Sequence, residues 1–361
     1  MDAIGTRLQY HNRTGRPNAP FQTPIQAILA HKMPHSVNRN GHSRNSLCFR
    51  HLSSIARHHS FNINMLTEQH RIYNSHRTKS LSESFCTFTF LHYLCGMVFY
   101  FSGTGNTRWV AEAIAKATGE RLIPIANEPD GGRSYTLAEG ERIGFCFPIH
   151  GWQPPAIVRK FIGGMSLNSC GGHYCYAVCT CGDNAGKAMD LLDSTLAQKG
   201  LKTDSVFSVI MPNTYVCLPF MDTDKPAAAH AKLQNATMQA NEAIAAITQR
   251  KRGMNKVVTG PLPRLLTYVI GAAFNRRMVT DKPFSVDTGT CIKCGKCATA
   301  CPTGNIAWSA GNTPQWSHTG KCTCCMACYH HCPRHAIRYG RCTASKGQYF
   351  FGKAQNKETH T

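Results

Sequence analysis

Eight cysteines toward the C-terminal end of this chain fall into two copies of one spacing. The first is Cys291-x-x-Cys294-x-x-Cys297-x-x-x-Cys301-Pro302, and the second is Cys322-x-x-Cys325-x-x-Cys328-x-x-x-Cys332-Pro333. Three thiolates on a tight loop reach three irons of one cube, and the fourth, beyond a turn ended by proline, points toward the neighbouring cube. The spacing predicts two 4Fe-4S clusters, one on Cys291, Cys294, Cys297 and Cys332, the other on Cys322, Cys325, Cys328 and Cys301. A pair of zinc knuckles is the alternative, but zinc sites pair two C-x-x-C hairpins across a longer gap. Cys324 lies inside the second run but off the pattern and is read as a non-ligand. Gly295, Ala298 and Ala327 keep the loops small beside the sulfurs, which suits backbone N–H bonding to them. Ile292, Ile306 and Ile337 are expected to cover the clusters or to serve as core.

A second constellation lies near the middle of the chain. Ser102-Gly103-Thr104-Gly105-Asn106-Thr107 follows an apolar run and opens a helical pattern, so its hydroxyls and amides gather at a helix N-terminus and make an anion site. It lacks the lysine of a nucleoside-triphosphate loop, and Arg108 breaks a dinucleotide fingerprint, which leaves a single flavin phosphate as the better match. A plain Ser/Thr/Gly turn with an N-cap is the bland alternative. Two later loops suit a flavin ring. Pro148-Ile149-His150-Gly151-Trp152-Gln153 offers Pro148 and Trp152, and Thr180-Cys181-Gly182-Asp183 offers a polar glycine turn. The segment Met211 to Tyr215 is expected to close the pocket. His150 and Asp183 are the two candidate proton donors, and neither is given a catalytic role.

The elements that position these loops follow from the hydrophobic pattern. Strands are predicted at 97–101, 121–125, 142–147, 173–180 and about 205–211, with helices at 106–118, 154–163, 184–199 and about 225–250. Alternating strands and helices specify an α/β fold, a doubly wound parallel sheet in the flavodoxin-like order 2-1-3-4-5. A small α+β two-cluster ferredoxin domain of the bacterial type is expected after it. The expected division is a leader over 1–96, a flavodoxin-like FMN domain over 97–251, a linker over 252–283, the cluster domain over 284–340 and a tail over 341–361. Within the linker, the apolar stretch 265–274 is read as a helix docked on the flavin domain, with a membrane-surface helix flanked by Arg264, Arg276 and Arg277 as its rival.

Composition bounds the rest. The 361 residues exceed one typical domain, and 19 cysteines crowded at short spacings argue for metal ligation in a reducing compartment over a disulfide scaffold. No stretch approaches the roughly 20 apolar residues of a membrane span. The net charge of +21 permits a polyanion partner, yet few aromatics interleave with the basic runs, so nucleic acid ranks last. Residues 1–96 hold 11 Lys/Arg, 3 Asp/Glu and 10 of the 18 histidines without periodicity. They read as a disordered basic arm, a transit peptide or an extension from an upstream start codon, with Met97 as the start of the folded part.

Together these residues resemble flavodoxin–ferredoxin fusion proteins of anaerobic bacteria and archaea, over about 97–340. The resemblance rests on FSGTGNT, FPIHGWQPP, TCGDNAG, MPNTYV and the paired cysteine runs, in the family's order and spacing. It implies FMN on the first three loops, electron transfer between flavin and clusters, redox proteins as donor and acceptor, and a cytoplasmic place in anaerobic metabolism. Family members often carry an aromatic residue at the position of His150, which leaves Trp152 as the better ring partner here. The alternative activity is an FMN-dependent reductase of a small acceptor, a quinone or nitro compound, fed by the clusters.

Overall fold

The structure, a computed structural model, describes residues 96–169 and 171–352, all of which fall in one compact unit. The expected leader, apart from Gly96, lies outside the described residues, as does the end of the expected tail.

The apolar runs form a parallel sheet. Its strands are β1 (Met97–Tyr100), β2 (Arg121–Pro124), β4 (Arg142–Pro148), β6 (Tyr174–Cys181), β7 (Ser205–Ile210) and β8 (Met254–Lys256), in the order β2-β1-β4-β6-β7-β8. The first five strands have the expected 2-1-3-4-5 order. β8 adds a sixth inside the expected linker, pairing with the first half of β7. A separate parallel pair, β3 (Ser134–Leu137) with β5 (Ser166–Ser169), was also not anticipated.

Helices cover both faces: α1 (Asn106–Thr118), α2 (Ala156–Gly164), α3 (Ala188–Leu196) and α4 (Pro226–Thr248). Side chains alternate along β1, so Met97 and Phe99 enter one core with α2 and α3, whereas Val98 enters the other with α1 and α4. α4 starts with Pro226, whose fixed φ suits a first helical position. Its buried stripe, Ala236, Ala240, Ala243 and Ile247, repeats at helical spacing. Small residues there let the long helix lie close to the sheet.

At the N-terminal edge of the strands, Glu120 is buried and accepts from Arg142 Nε at 2.5 Å and from the Tyr176 hydroxyl. Burial raises the Glu120 carboxyl above its ordinary range, and these donors oppose the shift. Tyr176→Phe should leave the carboxylate short of one donor and cost about 1.5–3 kcal/mol, read as a lower urea midpoint at unchanged slope. A change below about 0.5 kcal/mol would mean the hydroxyl is dispensable to Glu120.

Beyond β8, a π-helical turn (Leu265–Ile270) continues into α5 (Gly271–Arg277), docked on the sheet domain by one face. The cysteine module follows, with β9 (Phe284–Val286), α6 (Lys296–Thr299), β10 (Ile306–Ala307), β11 (Gln315–Trp316), α7 (Ala327–His330) and β12 (Ile337–Tyr339). β9 pairs with β12 and β10 with β11, both antiparallel. Phe284 stacks on Trp316 at 5.2 Å and meets Tyr339 edge-on at 4.9 Å, which fills the small core. Residues 343–352, expected as tail, return to the sheet domain. The Tyr329 hydroxyl is 2.8 Å from the Lys346 carbonyl, Lys346 Nζ donates to the Val216 carbonyl at 3.0 Å, and Phe351 stacks on Trp109 at 5.3 Å.

Candidate iron–sulfur and flavin sites

The two cysteine runs repeat in backbone as well as in sequence. Lys293 and Cys324 both stand two residues after the first cysteine and both have left-handed φ, 57° and 50°. Two residues further on, Gly295 and Met326 do the same at 71° and 59°. Three residues after the fourth cysteine, Gly304 and His335 complete the match at 60° and 53°. Non-glycine residues take this conformation at a cost of about 1–3 kcal/mol, so its recurrence marks loops held in a fixed shape.

That shape turns amides onto sulfur. Lys293 N–H donates to Cys291 Sγ and Cys324 N–H to Cys322 Sγ, both at 3.4 Å. Asn305 N–H donates to Cys301 Sγ at 3.3 Å and Ala336 N–H to Cys332 Sγ at 3.2 Å. Such bonds favour the thiolate and raise the reduction potential of a cluster it holds.

The fourth cysteines cross over. Cys291, Cys294, Cys297 and Cys332 line one cavity together with Lys293, Arg334 and Ile337. On the other side Cys328 is buried, which raises its thiol most, and the neighbouring thiols of Cys325, Cys322 and Cys301 raise it further. Burial likewise pushes the Cys297 and Cys325 thiols up to about 11. Among the described residues no three His, Cys, Asp or Glu side chains converge on one ion. Four cysteines lining one cavity are the ligand set that a cube-shaped cluster would take, each thiolate on a different iron.

Ile306 and Ile337 are buried as expected, and Ile292, although 58% exposed, lines the cavity of the first cysteine set. Cys324 is buried with its Sγ 3.8 Å from Cys217 Sγ. Sequence reading missed Cys217, Cys342 and Lys346 as neighbours of this module, because their approach depends on chain segments far apart in sequence. The module is also one-sided in charge: residues 288–352 carry seven Lys/Arg and no Asp/Glu.

The glycine loop stands at the start of α1, whose first turn contains no acid. Gly105 has φ 94°, open to glycine alone at low cost, and its N–H donates to Ser102 Oγ at 3.2 Å. Thr104, Asn106 and Thr107 are buried. Thr107 Oγ1 and Thr180 Oγ1 are 2.7 Å apart, so the first and third predicted loops touch. Asn106 is held between the Pro212 carbonyl and the Tyr349 hydroxyl, and the Phe351 N–H donates to the Thr104 carbonyl at 2.8 Å.

The second loop is pinned from outside. Gln153 Nε2 donates to the Thr267 carbonyl at 2.7 Å, and Asn275 Nδ2 to the His150 carbonyl at 3.0 Å. Trp152, at φ 56°, packs over Gly186, where an added Cβ would stand 3.1 Å from Trp152 Cβ. Pro148 ends β4, and the Cys181 side chain is buried in the core while its carbonyl accepts from the Met211 N–H at 2.8 Å. Gly182 abuts the Asn213 side chain. Asp183 is exposed and lies 3.5 Å from Lys232, outside the group of loop residues that touch one another. Asn184 Oδ1 is buried without a hydrogen-bond partner on the same loop. Helix-start amides, the Ser and Thr hydroxyls and this orphaned acceptor together fit a flavin phosphate and ring edge. A groove of about 310 Å³ lined by Ile210, Lys232, Met238 and Glu242 lies beside α4 and includes none of the predicted site residues.

His150 packs edge-on to Phe101 at 6.3 Å, and burial pulls its imidazole down to about 4. Below about pH 6.5 the unfolded chain takes a proton that the folded one refuses, so stability falls as pH drops from about 6.5 to about 4. The full loss is about 3 kcal/mol at most. His150→Phe should remove this acid limb, seen as a flat thermal midpoint between pH 7 and about 5. An unchanged acid limb would assign it to other groups.

The family model for the 4Fe-4S dicluster domain matches residues 284–333. Residues 284–333 thus form a ferredoxin-type 4Fe-4S domain that follows a flavodoxin-like sheet. No curated protein matches the chain. Among solved structures, a putative flavoprotein from Bacteroides uniformis is 18% identical, with TM-score 0.24, covering 32% of this chain and 90% of that one. A putative flavoprotein from Bacteroides eggerthii is 21% identical, with TM-score 0.23, covering 32% and 85%. Rubredoxin oxygen:oxidoreductase from Desulfovibrio gigas is 14% identical, with TM-score 0.24, covering 42% and 36%. At that level of superposition none of them bears on the chemistry of this chain.

Proposed function

We propose that this chain is an electron-transfer protein of the flavodoxin–ferredoxin fusion type, with two 4Fe-4S clusters and one FMN in one folded unit. One cluster is assigned to Cys291, Cys294, Cys297 and Cys332, the other to Cys322, Cys325, Cys328 and Cys301. FMN is assigned to Ser102–Thr107 and to the loops at Pro148–Trp152 and Thr180–Gly182. When bound, the clusters supply one-electron transfer and FMN supplies one- and two-electron storage.

The observation that carries this reading is the approach of the glycine loop to the second cysteine run. A Cβ added at Gly103 would stand 2.6 Å from Cys325 Cβ and 3.0 Å from its Sγ. The phosphate loop and a cluster loop are therefore in van der Waals contact. Asn106 and Thr104, tied to Tyr349 and Phe351, hold that contact from the other end of the chain. Amides bonded to sulfur and the seven basic residues around the module stabilise the electron-rich state of the clusters. The exposed Cys294 gives the first set the more open approach for cytoplasmic redox partners.

The test is rapid reduction of the anaerobic, fully loaded protein with a one-electron donor, followed at flavin and cluster wavelengths. The expected result is a flavin phase whose rate does not change with protein concentration. A rate proportional to protein concentration would mean that electrons pass between molecules and would overturn the reading.

A further inference from the structure

Among the described residues, the helical segment from Leu265 to Arg277 packs with one face. Thr267 is fully buried, its carbonyl held by Gln153 and its hydroxyl accepting from the Lys187 N–H at 2.8 Å. Gly271 presses on the loop at Gly151, where an added Cβ would lie 2.2 Å from the Gly151 carbonyl oxygen. Phe274 completes the docked side against Gly151 and Tyr215.

The opposite side carries apolar residues that stay exposed among the described residues. Among the described residues ten large apolar side chains stand exposed, and six of them lie between Val258 and Ile270. Leu262 is 69% exposed, Val269 60%, Tyr268 46% and Leu265 45%. Exposed apolar residues scattered singly need no explanation, but a run of six on one helix and its lead-in does.

Charge around the run is equally one-sided. Residues 243–280 contain seven Lys/Arg and no Asp/Glu. Arg264 precedes the helix and Arg276 and Arg277 end it, all three exposed and without an ion pair among the described residues. Acids on the neighbouring loop and at the start of α3 are already engaged, Asp183 with Lys232 at 3.5 Å and Asp190 with Lys187 at 3.3 Å.

We propose that this face is a membrane-surface anchor that lies on a bilayer rich in anionic lipid. The apolar side chains enter the boundary of the acyl region, and the three arginines meet headgroup phosphates at both ends of the helix. A helix ridge is convex, and a fluid bilayer receives it without the complementary groove that a folded partner needs. No helix among the described residues is long and apolar enough to cross the membrane, so the attachment is peripheral. The inference is independent of the cofactors.

The test is co-sedimentation of the full chain with vesicles of phosphatidylcholine, alone or with about one third phosphatidylglycerol. Binding is expected only with the anionic lipid and should weaken steeply with salt. Arg276→Gln with Arg277→Gln should reduce it about 25-fold, at about fivefold per arginine. Leu262→Asp with Val269→Asp should abolish it while thermal stability holds. A Leu265→Trp variant should show a blue-shifted emission on anionic vesicles. Failure to bind anionic vesicles, or binding that all variants retain, would overturn the proposal. So would a dimer in solution that the aspartate pair dissolves, because a second copy would then cover the face.

Discussion

Cys294→Ala should lower the iron content of the purified protein from about eight atoms to about four, with sulfide falling in step. Cys294 is exposed, so its removal opens no cavity in the core, and the loop keeps its shape through Gly295 and the Lys293 bond to Cys291. The set of Cys322, Cys325, Cys328 and Cys301 is untouched, so its four irons and the flavin should remain. Cys332→Ala sharpens the result, because Cys332 belongs to the second run in sequence but shares a cavity with Cys291, Cys294 and Cys297. The two variants should lose the same cluster, recognised by the same missing signal in the electron paramagnetic resonance spectrum of the reduced protein. If Cys332→Ala instead removes the cluster that Cys294→Ala leaves, the crossed pairing is wrong. Loss of flavin together with iron in Cys294→Ala would show that the two sites assemble as one.

Gly103→Val should damage two sites at once. The new side chain would meet the Cβ and the carbonyl oxygen of Cys325, atoms with little freedom to withdraw, so the loops must separate. Overpacking of this kind costs about 1–3 kcal/mol. Cys325 is the ligand displaced, so about four irons should be lost, those held by the set of Cys322, Cys325, Cys328 and Cys301. Flavin affinity should fall as well, because Gly103 lies in the phosphate loop. Gly132→Ala is the control, since nothing lies within 4 Å of a Cβ added there. Eight irons and an unchanged melting temperature in Gly103→Val would show that the two loops do not touch in solution.

Much of this arrangement was legible in the sequence, and the parts that were not share a physical cause. β1, β4 and β6 announce themselves because a central parallel strand is buried on both faces and reads as a continuous apolar run. β8 is only Met254, Asn255 and Lys256 at the sheet edge, where one partner and open solvent impose no apolar pattern. β3 and β5 have only four residues each and are rich in serine and threonine or asparagine. The cysteine spacing carries the cluster loops outright, and the repeat even aligns Gly295 with Met326. Nothing in a methionine, however, signals left-handed φ, which the loop enforces from outside.

Asp183, expected in a ring-binding turn, is exposed and stands 3.5 Å from Lys232 on α4, a neighbour that no local signal announces. The return of Tyr349 and Phe351 to the glycine loop is a contact between residues about 240 positions apart, beyond any local signal. That contact matters for the functional reading, because it closes the sheet domain and the cysteine module into one unit through the chain end that looked like a tail. The apolar stretch 265–274 was expected to dock as a helix on the sheet domain. It does so with half of its surface, and the exposed half is what the membrane inference uses.

The most direct measurement is iron, acid-labile sulfide and flavin on one sample of the full chain purified without oxygen. The electron-transfer account predicts about eight irons and eight sulfides with one FMN per chain. Zinc in place of iron would contradict it at the cysteine runs, and full clusters with no flavin would contradict it at the glycine loop.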